Sequence, residues 1–104
     1  MAYENYDTHT PAYAQISVTT SAQKLSAILL TAGLPAIPSW ANEVIFYPEN
    51  GSIRYRCDGT DPTASIGMPV PSSSWWPAQG SAALAAMSLI SQSGTVSVSI
   101  EFRG

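Results

Sequence analysis

Charged side chains are scarce in this sequence. Lysine, arginine, aspartate and glutamate make up only 11% of its 104 residues, which is about half the share in an average soluble domain. A soluble monomer normally covers its surface with these four residue types. Here Ser, Thr, Ala, Gln and Asn must cover the surface, unless part of it is buried in an assembly. The shortage of charge therefore favours a protein that works in contact with other subunits.

Positive charge is the scarcest of all. The formal net charge is −3, and the only basic residues are Lys24, Arg54, Arg56 and Arg103. Proteins that bind nucleic acids neutralise the phosphates with many lysines and arginines. We therefore expect no nucleic-acid partner.

Cysteine and histidine occur once each, as Cys57 and His9. A single cysteine excludes an intramolecular disulfide framework, and synthesis in a reducing cytoplasm is the simplest interpretation. One His and one Cys do not make a zinc ligand set, and the spacing of the carboxylates singles out no acid–base pair. We expect no metal, no cofactor and no enzymatic activity.

Long hydrophobic runs are absent as well. Runs such as "AILL" and "AALAAM" fall far short of the roughly 20 residues that span a bilayer. The first residues are polar and acidic, without the basic and apolar stretches of a secretion signal. We therefore expect neither a membrane partner nor a signal peptide.

What the sequence does contain is a series of short β-prone segments. Residues 1–12 are polar and aperiodic, which predicts an N-terminal arm, whereas residues 13–104 are predicted to form a single β domain. Strands are predicted over residues 14–20, 42–48 and 52–57. The clearest strand lies near the C-terminus, where four apolar residues alternate with polar ones: Val96, Val98, Ile100 and Phe102.

One segment has its apolar residues at helical spacing instead of the alternation of a strand. Apolar residues recur at helical spacing between Leu25 and Ala32, which predicts one short helix near residues 21–32. Ser21 can cap the start of this helix, and Gly33 can end it.

Turn residues and composition complete the predicted fold. "NG" at residues 50–51 lies between two predicted strands and is a strong hairpin signal. The Ala, Leu and Met of residues 81–92 favour a helix, but their spacing fits neither period fully, and we predict a buried strand over residues 84–91. The total is about six or seven short strands. The expected fold class is all-β, a small sandwich or a jelly-roll-like barrel with one short helix.

The strand predicted over residues 52–57 alternates cleanly. Ile53, Tyr55 and Cys57 fall on one face, which is predicted to be the core face, and the two arginines between them fall on the other. The following "DGTDP" is explained by turn chemistry without any ligand.

Trp75 and Trp76 are adjacent, among serines and prolines, where a core does not require tryptophan. Neighbouring residues of a strand face opposite sides, so at least one of the two should be exposed or covered by a partner. Tryptophan is a frequent anchor of protein interfaces. The favoured interpretation is a subunit or partner contact; core packing of both rings and a sugar-stacking platform are the alternatives.

The stretch "SIRYRCDGTDPTASIGMPV" (residues 52–70) resembles small β-rich proteins encoded among the virion genes of tailed bacteriophages. The resemblance extends over most of residues 15–103, including "VTTSAQKLSAIL", "VIFYPENGSIRYR" and "LISQSGTVSVSIEF", and the order of these motifs carries it. It implies a structural component of the particle, such as a capsid decoration or cement protein, a head–tail component or a tail component. Sandwich or jelly-roll folds and homotrimers are common among the decoration proteins.

The resemblance and the composition together predict a capsid decoration or cement protein that bridges and stabilises major capsid subunits. The expected partner is the major capsid protein, the expected assembly is a homotrimer, and the expected location is the capsid surface of the virion. The alternative is a head–tail, tail or spike component that binds carbohydrate or a receptor. The residues predicted to make contacts are Tyr3, Tyr6, Tyr13, Arg54, Arg56, Trp75 and Trp76.

Overall fold

Eight strands and two short helices make up the computed structural model of this chain, which describes residues 10–104. Tyr3, Tyr6, His9 and most of the predicted arm lie outside the described residues. The strands are β1 (Ala12–Val18), β2 (Gln23–Lys24), β3 (Glu43–Pro48), β4 (Ile53–Arg56), β5 (Met68–Val70), β6 (Trp76–Gln79), β7 (Ser88–Ser91) and β8 (Val96–Arg103), and the helices are α1 (Leu25–Thr31) and α2 (Ser81–Ala86).

The strands form two antiparallel sheets of four. Sheet 1 has the order β1-β8-β3-β6, and sheet 2 has the order β2-β7-β4-β5. Each strand of the first half pairs with one of the second half: β1 with β8, β2 with β7, β3 with β6 and β4 with β5. This pattern arises when a long hairpin, folded between β4 and β5, is rolled into two layers. The predicted β class is confirmed as a two-sheet arrangement, whereas the described residues form no closed barrel.

The alternation predicted for β8 is confirmed. Val96, Val98, Ile100 and Phe102 are each at most 3% exposed. They meet buried side chains of sheet 2 across the interior, and the rings of Phe46 and Tyr55 lie 5.4 Å apart between their centroids. Burial of one apolar face from each sheet is what stabilises a layered β domain.

The predicted helix is confirmed over a shorter range, residues 25–31, with Leu25 and Leu29 buried. Its end is as expected: Gly33 has φ +70°, and the amides of Gly33 and Leu34 donate to Leu30 and Leu29. The predicted cap is wrong. The helix begins after Lys24 without a side-chain cap, because residues 23–24 are paired with β7 and separate Ser21 from the first turn.

The strand predicted over residues 84–91 is wrong in its first half. Residues 81–86 are helical, and only residues 88–91 are extended. Between them Met87 takes extended backbone angles (φ −65°, ψ 133°). Leu84 and Met87 are both buried, so the apolar pattern is satisfied by a helix that turns directly into a strand. The fold therefore has a second helix that the sequence did not predict.

The hairpin predicted at residues 50–51 is also wrong, because β3 and β4 belong to different sheets. The residues between β3 and β4 therefore pass from one sheet to the other, and Asn50 in this connection contacts β8. The amide of Ser97 donates to the Asn50 side-chain oxygen over 2.7 Å. A Cβ atom on Gly51 would lie 2.7 Å from Cγ2 of Val96. Glycine is therefore required at position 51, because any side chain there would clash with the buried Val96.

We predict that Gly51→Ala destabilises the fold by about 1–3 kcal/mol, the usual cost of overpacking. Denaturant unfolding of the purified chain measures this change in the free energy of unfolding. In a Val96→Ala background the same substitution should cost much less, since the clashing methyl groups are gone. Equal costs in the two backgrounds would contradict the packing explanation.

Candidate binding face

The outer face of sheet 1 carries an open groove of about 360 Å³. It exists because residues on this face alternate with the core residues of β1, β3 and β8 and therefore point away from the interior. Eight residues line this aromatic groove: Tyr13, Ile45, Tyr47, Trp75, Ser99, Ile100, Glu101 and Arg103. The side chain of Ile100 itself belongs to the core.

The sheet register brings these residues together from four distant parts of the chain. Glu101 of β8 is flanked by Tyr13 of β1 and Ile45 of β3. Ser99 lies opposite Tyr47, and Trp75 immediately precedes β6 at the far edge. Neighbouring strands lie about 4.8 Å apart, so a groove that crosses four strands extends over roughly 14 Å.

The aromatic rings of the groove are open to solvent. Tyr13 is 64% exposed, Tyr47 is 40% exposed and Trp75 is 61% exposed. Single exposed apolar residues are ordinary on protein surfaces, but rings gathered around one concavity are typical of a binding site. The groove therefore offers apolar area that a ligand or partner can cover.

A hydrogen-bonded network borders the groove on its β1 side. The hydroxyls of Tyr13 and Ser99 lie 3.1 Å apart, and Ser99 donates to Oε2 of Glu49 over 2.5 Å. Nε2 of Gln15 donates to Ser97 and to the same Glu49 oxygen, over 3.0 and 3.3 Å. These contacts fix the orientation of Tyr13 and place a carboxylate beside the groove.

An ion pair lies within the groove itself. Oε1 of Glu101 accepts from Nε of Arg103 over 2.8 Å and lies 2.6 Å from an Nη atom of the same guanidinium. Both side chains are partly exposed. A partner can use the pair as hydrogen-bond donor and acceptor, although an exposed pair of this kind adds little to stability.

Trp75 and Trp76 take opposite sides, as predicted from their adjacency. Trp75 borders the groove, whereas Trp76 shares the parity of the buried Ala78 and lies at the sheet edge, 45% exposed. Burial raises the pKa of Tyr55, and the neighbouring Trp76 side chain offsets part of that rise. Trp76 thus lies over the edge of the core with part of its ring exposed, and Trp75 is the tryptophan that borders the groove.

Arg54 and Arg56 lie on the outer side of β4, away from the aromatic groove. Arg54 donates to the backbone oxygens of Ala64 and Gly67, over 3.2 and 2.8 Å. Arg56 pairs with Asp58 over 2.5 Å and, with a backbone amide, holds the pKa of that carboxyl below its usual value. Both arginines therefore bind the loop over residues 57–67, and their predicted contacts with partner carboxylates stay a prediction.

The loop over residues 57–67 is built from its own turns, as the sequence indicated. The Asp61 carboxylate accepts from the Ser88 hydroxyl over 2.8 Å, and Pro62 is buried. Gly67 has φ +138°, and a Cβ atom there would lie 3.0 Å from Pro62. This turn-rich segment is therefore a braced part of the fold.

Of the predicted contact residues that lie within residues 10–104, the groove contains Tyr13 and Trp75 but not Arg54, Arg56 or Trp76. Sequence reasoning missed Tyr47, Glu101 and Arg103. The outward parity of β3 and β8 could have identified them as surface residues, but their meeting depends on the strand order of sheet 1, which no local pattern encodes.

Among residues 10–104 no cluster of three or more His, Cys, Asp or Glu side chains is placed to hold a metal ion. No helix in the described part of the chain is long and apolar enough to cross a membrane. Comparison of the chain with protein-family models, curated proteins and solved structures found no match. The groove is therefore interpreted from its own residues.

We predict that Cys57 reacts slowly with iodoacetamide at neutral pH. The thiolate is the reactive form, and burial, followed by the charge of Asp58, raises the pKa of the Cys57 thiol. Asp58→Asn should move the pH profile of alkylation to lower pH and speed the reaction near neutrality. The rate should stay below that of a fully exposed cysteine, because burial is the larger cause.

Glu43→Gln, which removes a carboxylate from the other sheet, is the matched control and should leave the profile unchanged. Identical profiles for the native chain and Asp58→Asn would contradict the assigned influence of Asp58.

Proposed function

We propose that this chain is a structural protein of a tailed-bacteriophage particle, a decoration or cement protein that binds major capsid subunits through the aromatic groove. The observation that carries the proposal is the groove itself, in which Tyr13, Tyr47 and Trp75 are gathered on one rigid sheet. Tyrosine, tryptophan and arginine are the residues most enriched at the energetic centres of protein interfaces.

The strand order supports the same assignment. The orders β1-β8-β3-β6 and β2-β7-β4-β5 fit an eight-stranded jelly roll, a fold that viral capsid proteins and lectins use. Many functions share such a fold, so the order favours a class of proteins and does not by itself select an activity.

The resemblance of residues 52–70 to virion proteins is a separate line of support. It extends over most of residues 15–103, so it includes the strands that carry Tyr47 and Glu101 as well as the loop over residues 57–67. The low charge of the chain, 11% of its residues, fits a protein whose surface is partly covered in an assembly.

The proposed mechanism is mechanical. The sandwich holds the groove residues of β3 and β8 in place because each of these strands is paired on both sides, and Tyr13 is held by the pairing of β1 with β8. Apolar area that the capsid covers contributes about 25 cal/mol per Å², less the cost of ordering the interface. A protein that contacts neighbouring subunits in this way adds buried area between them and resists the internal pressure of a filled head.

The proposal predicts that the chain is present in purified particles of a phage that encodes it. Added to particles that lack the chain, native protein should bind and raise their thermal stability. Trp75→Ala and Tyr47→Ala should each weaken binding about tenfold or more, as expected for central interface anchors. Mass spectrometry and a particle-binding assay measure these outcomes.

Leu30→Ala is the matched control, since Leu30 is 81% exposed on α1 and lies outside the groove. It should bind as the native chain does. Absence of the chain from particles, or binding that is insensitive to both groove substitutions, would contradict the proposal.

A carbohydrate-binding role on a tail or spike is the second candidate, and the composition of the groove favours it. An exposed tryptophan face for stacking lies beside the carboxylate of Glu101 and the guanidinium of Arg103, which can bind sugar hydroxyls. This role predicts that the chain binds surface polysaccharide of the bacterial host and that Trp75→Ala abolishes binding. A glycan array that includes those polysaccharides and shows no signal would contradict it.

A further inference from the structure

Charge is distributed unevenly between the two sheets. Among residues 10–104, the outer face of sheet 1 carries the carboxylates of Glu43, Glu49 and Glu101 and the guanidinium of Arg103, a formal charge of −2. The other charged side chains of this range lie on sheet 2 and its loop: Lys24, Arg54, Arg56, Asp58 and Asp61. The face that holds the aromatic groove therefore favours a partner that presents positive charge.

The strand register places two of these carboxylates on either side of the aromatic rings. Tyr47 lies opposite Ser99, and the same register, continued by one residue from the end of β6, places Trp75 beside Tyr47. Glu101 lies two residues along the strand on one side of this row. Glu49 lies two residues along on the other side, where its amide donates to the Ser97 oxygen. Residues so spaced on one face of a strand are about 7 Å apart.

The two carboxylates differ in their partners. Glu101 is already paired with Arg103, over 2.6 Å. Glu49 accepts only from neutral groups in the described part of the chain, the Ser99 hydroxyl and the Gln15 amide, and both bond the same oxygen, Oε2. Within residues 10–104, no cation pairs with Glu49 and no donor is bonded to its Oε1 atom. A positioned carboxylate beside the groove is thus left to accept from a partner.

Aromatic rings beside a carboxylate are suited to one kind of side chain. A cation over the face of a tryptophan or tyrosine ring is attracted by the electrons of the ring, and arginine makes such contacts more often than lysine. The guanidinium is planar, so it can stack on a ring while its N–H groups donate to a carboxylate at its edge. A lysine ammonium is a compact point charge that cannot stack in this way.

We propose that the aromatic groove binds an arginine side chain of the partner protein, stacked on Tyr47 and Trp75 and paired with Glu49. This inference rests on the proposed function, in which the groove is the contact with the capsid subunit. It adds the chemistry that the subunit must supply at that contact. The Glu101–Arg103 pair borders the same groove and directs the incoming cation to Glu49, since Arg103 already neutralises Glu101.

The test uses two short peptides and needs no particles. Acetyl-Gly-Arg-Gly amide and the same peptide with citrulline, a neutral group of nearly the same shape, are titrated into the native chain and followed by NMR. The arginine peptide should shift the indole signal of Trp75 and the ring signals of Tyr47. It should bind about threefold or more tightly than the citrulline peptide, with a smaller difference at high salt. Equal affinities, or no shift of these signals, would overturn the proposal.

Glu49→Gln tests the carboxylate itself. Glutamine can still accept from Ser99 and Gln15, so the variant removes the charge and keeps the local hydrogen bonds. It should lose most of the preference for arginine over citrulline. The same spectra show whether the variant is folded, and the two peptides on the native chain decide the question if it is not.

Glu43→Gln is the matched control. Glu43 lies on the same face and accepts from Gln79 over 3.1 Å, much as Glu49 accepts from Gln15, but it does not line the groove. This variant loses the same charge and should keep the preference for arginine. Equal losses in Glu43→Gln and Glu49→Gln would overturn the assignment of Glu49.

The particle-binding assay separates this inference from the function on which it rests. Glu49→Gln should weaken binding to particles, as Trp75→Ala does, and Glu43→Gln should not. Binding that requires Trp75 but is unchanged in Glu49→Gln would overturn the arginine contact and leave the proposed function standing. Binding that is insensitive to Trp75→Ala and Tyr47→Ala would contradict the proposed function, and this inference with it.

Discussion

Strand β8 is the element on which the rest of this structure depends. It pairs with β1 on one side and β3 on the other, so it fixes the positions of three of the four strands of sheet 1. Its inward residues, from Val96 to Phe102, are core, and its outward residues form the floor of the aromatic groove. The same alternation thus provides the stability of the sandwich and the surface that we propose as functional.

The second sheet is braced differently, by polar contacts that hold a long loop against β4. Arg54 bonds two backbone oxygens of the loop over residues 57–67, and Asp61 accepts from Ser88 of β7. Hydrogen bonds that involve charged groups are among the stronger ones in proteins. The loop over residues 57–67 is therefore held in place by contacts within the fold, while the proposed contacts lie on the opposite sheet.

Much of the fold could be predicted from the sequence, because alternation and helical spacing are local signals. They identified β3, β4, β8 and α1 within a few residues. The order of strands could not be predicted, since residues 50–51 fit a hairpin turn and in fact connect the two sheets. The groove was missed for the same reason: Tyr47 and Glu101 reach one groove only through the pairing of β3 with β8, which no short window of sequence contains.

The central claim is that the aromatic groove is covered by capsid subunits in the assembled particle. Hydroxyl-radical footprinting of intact particles, compared with the free chain, measures the exposure of individual side chains directly. The account predicts that oxidation of Trp75 and Tyr47 falls sharply in the particle, while oxidation of exposed residues outside the groove, such as Leu30, changes little. Equal oxidation of Trp75 and Tyr47 in the particle and in the free chain would contradict the account.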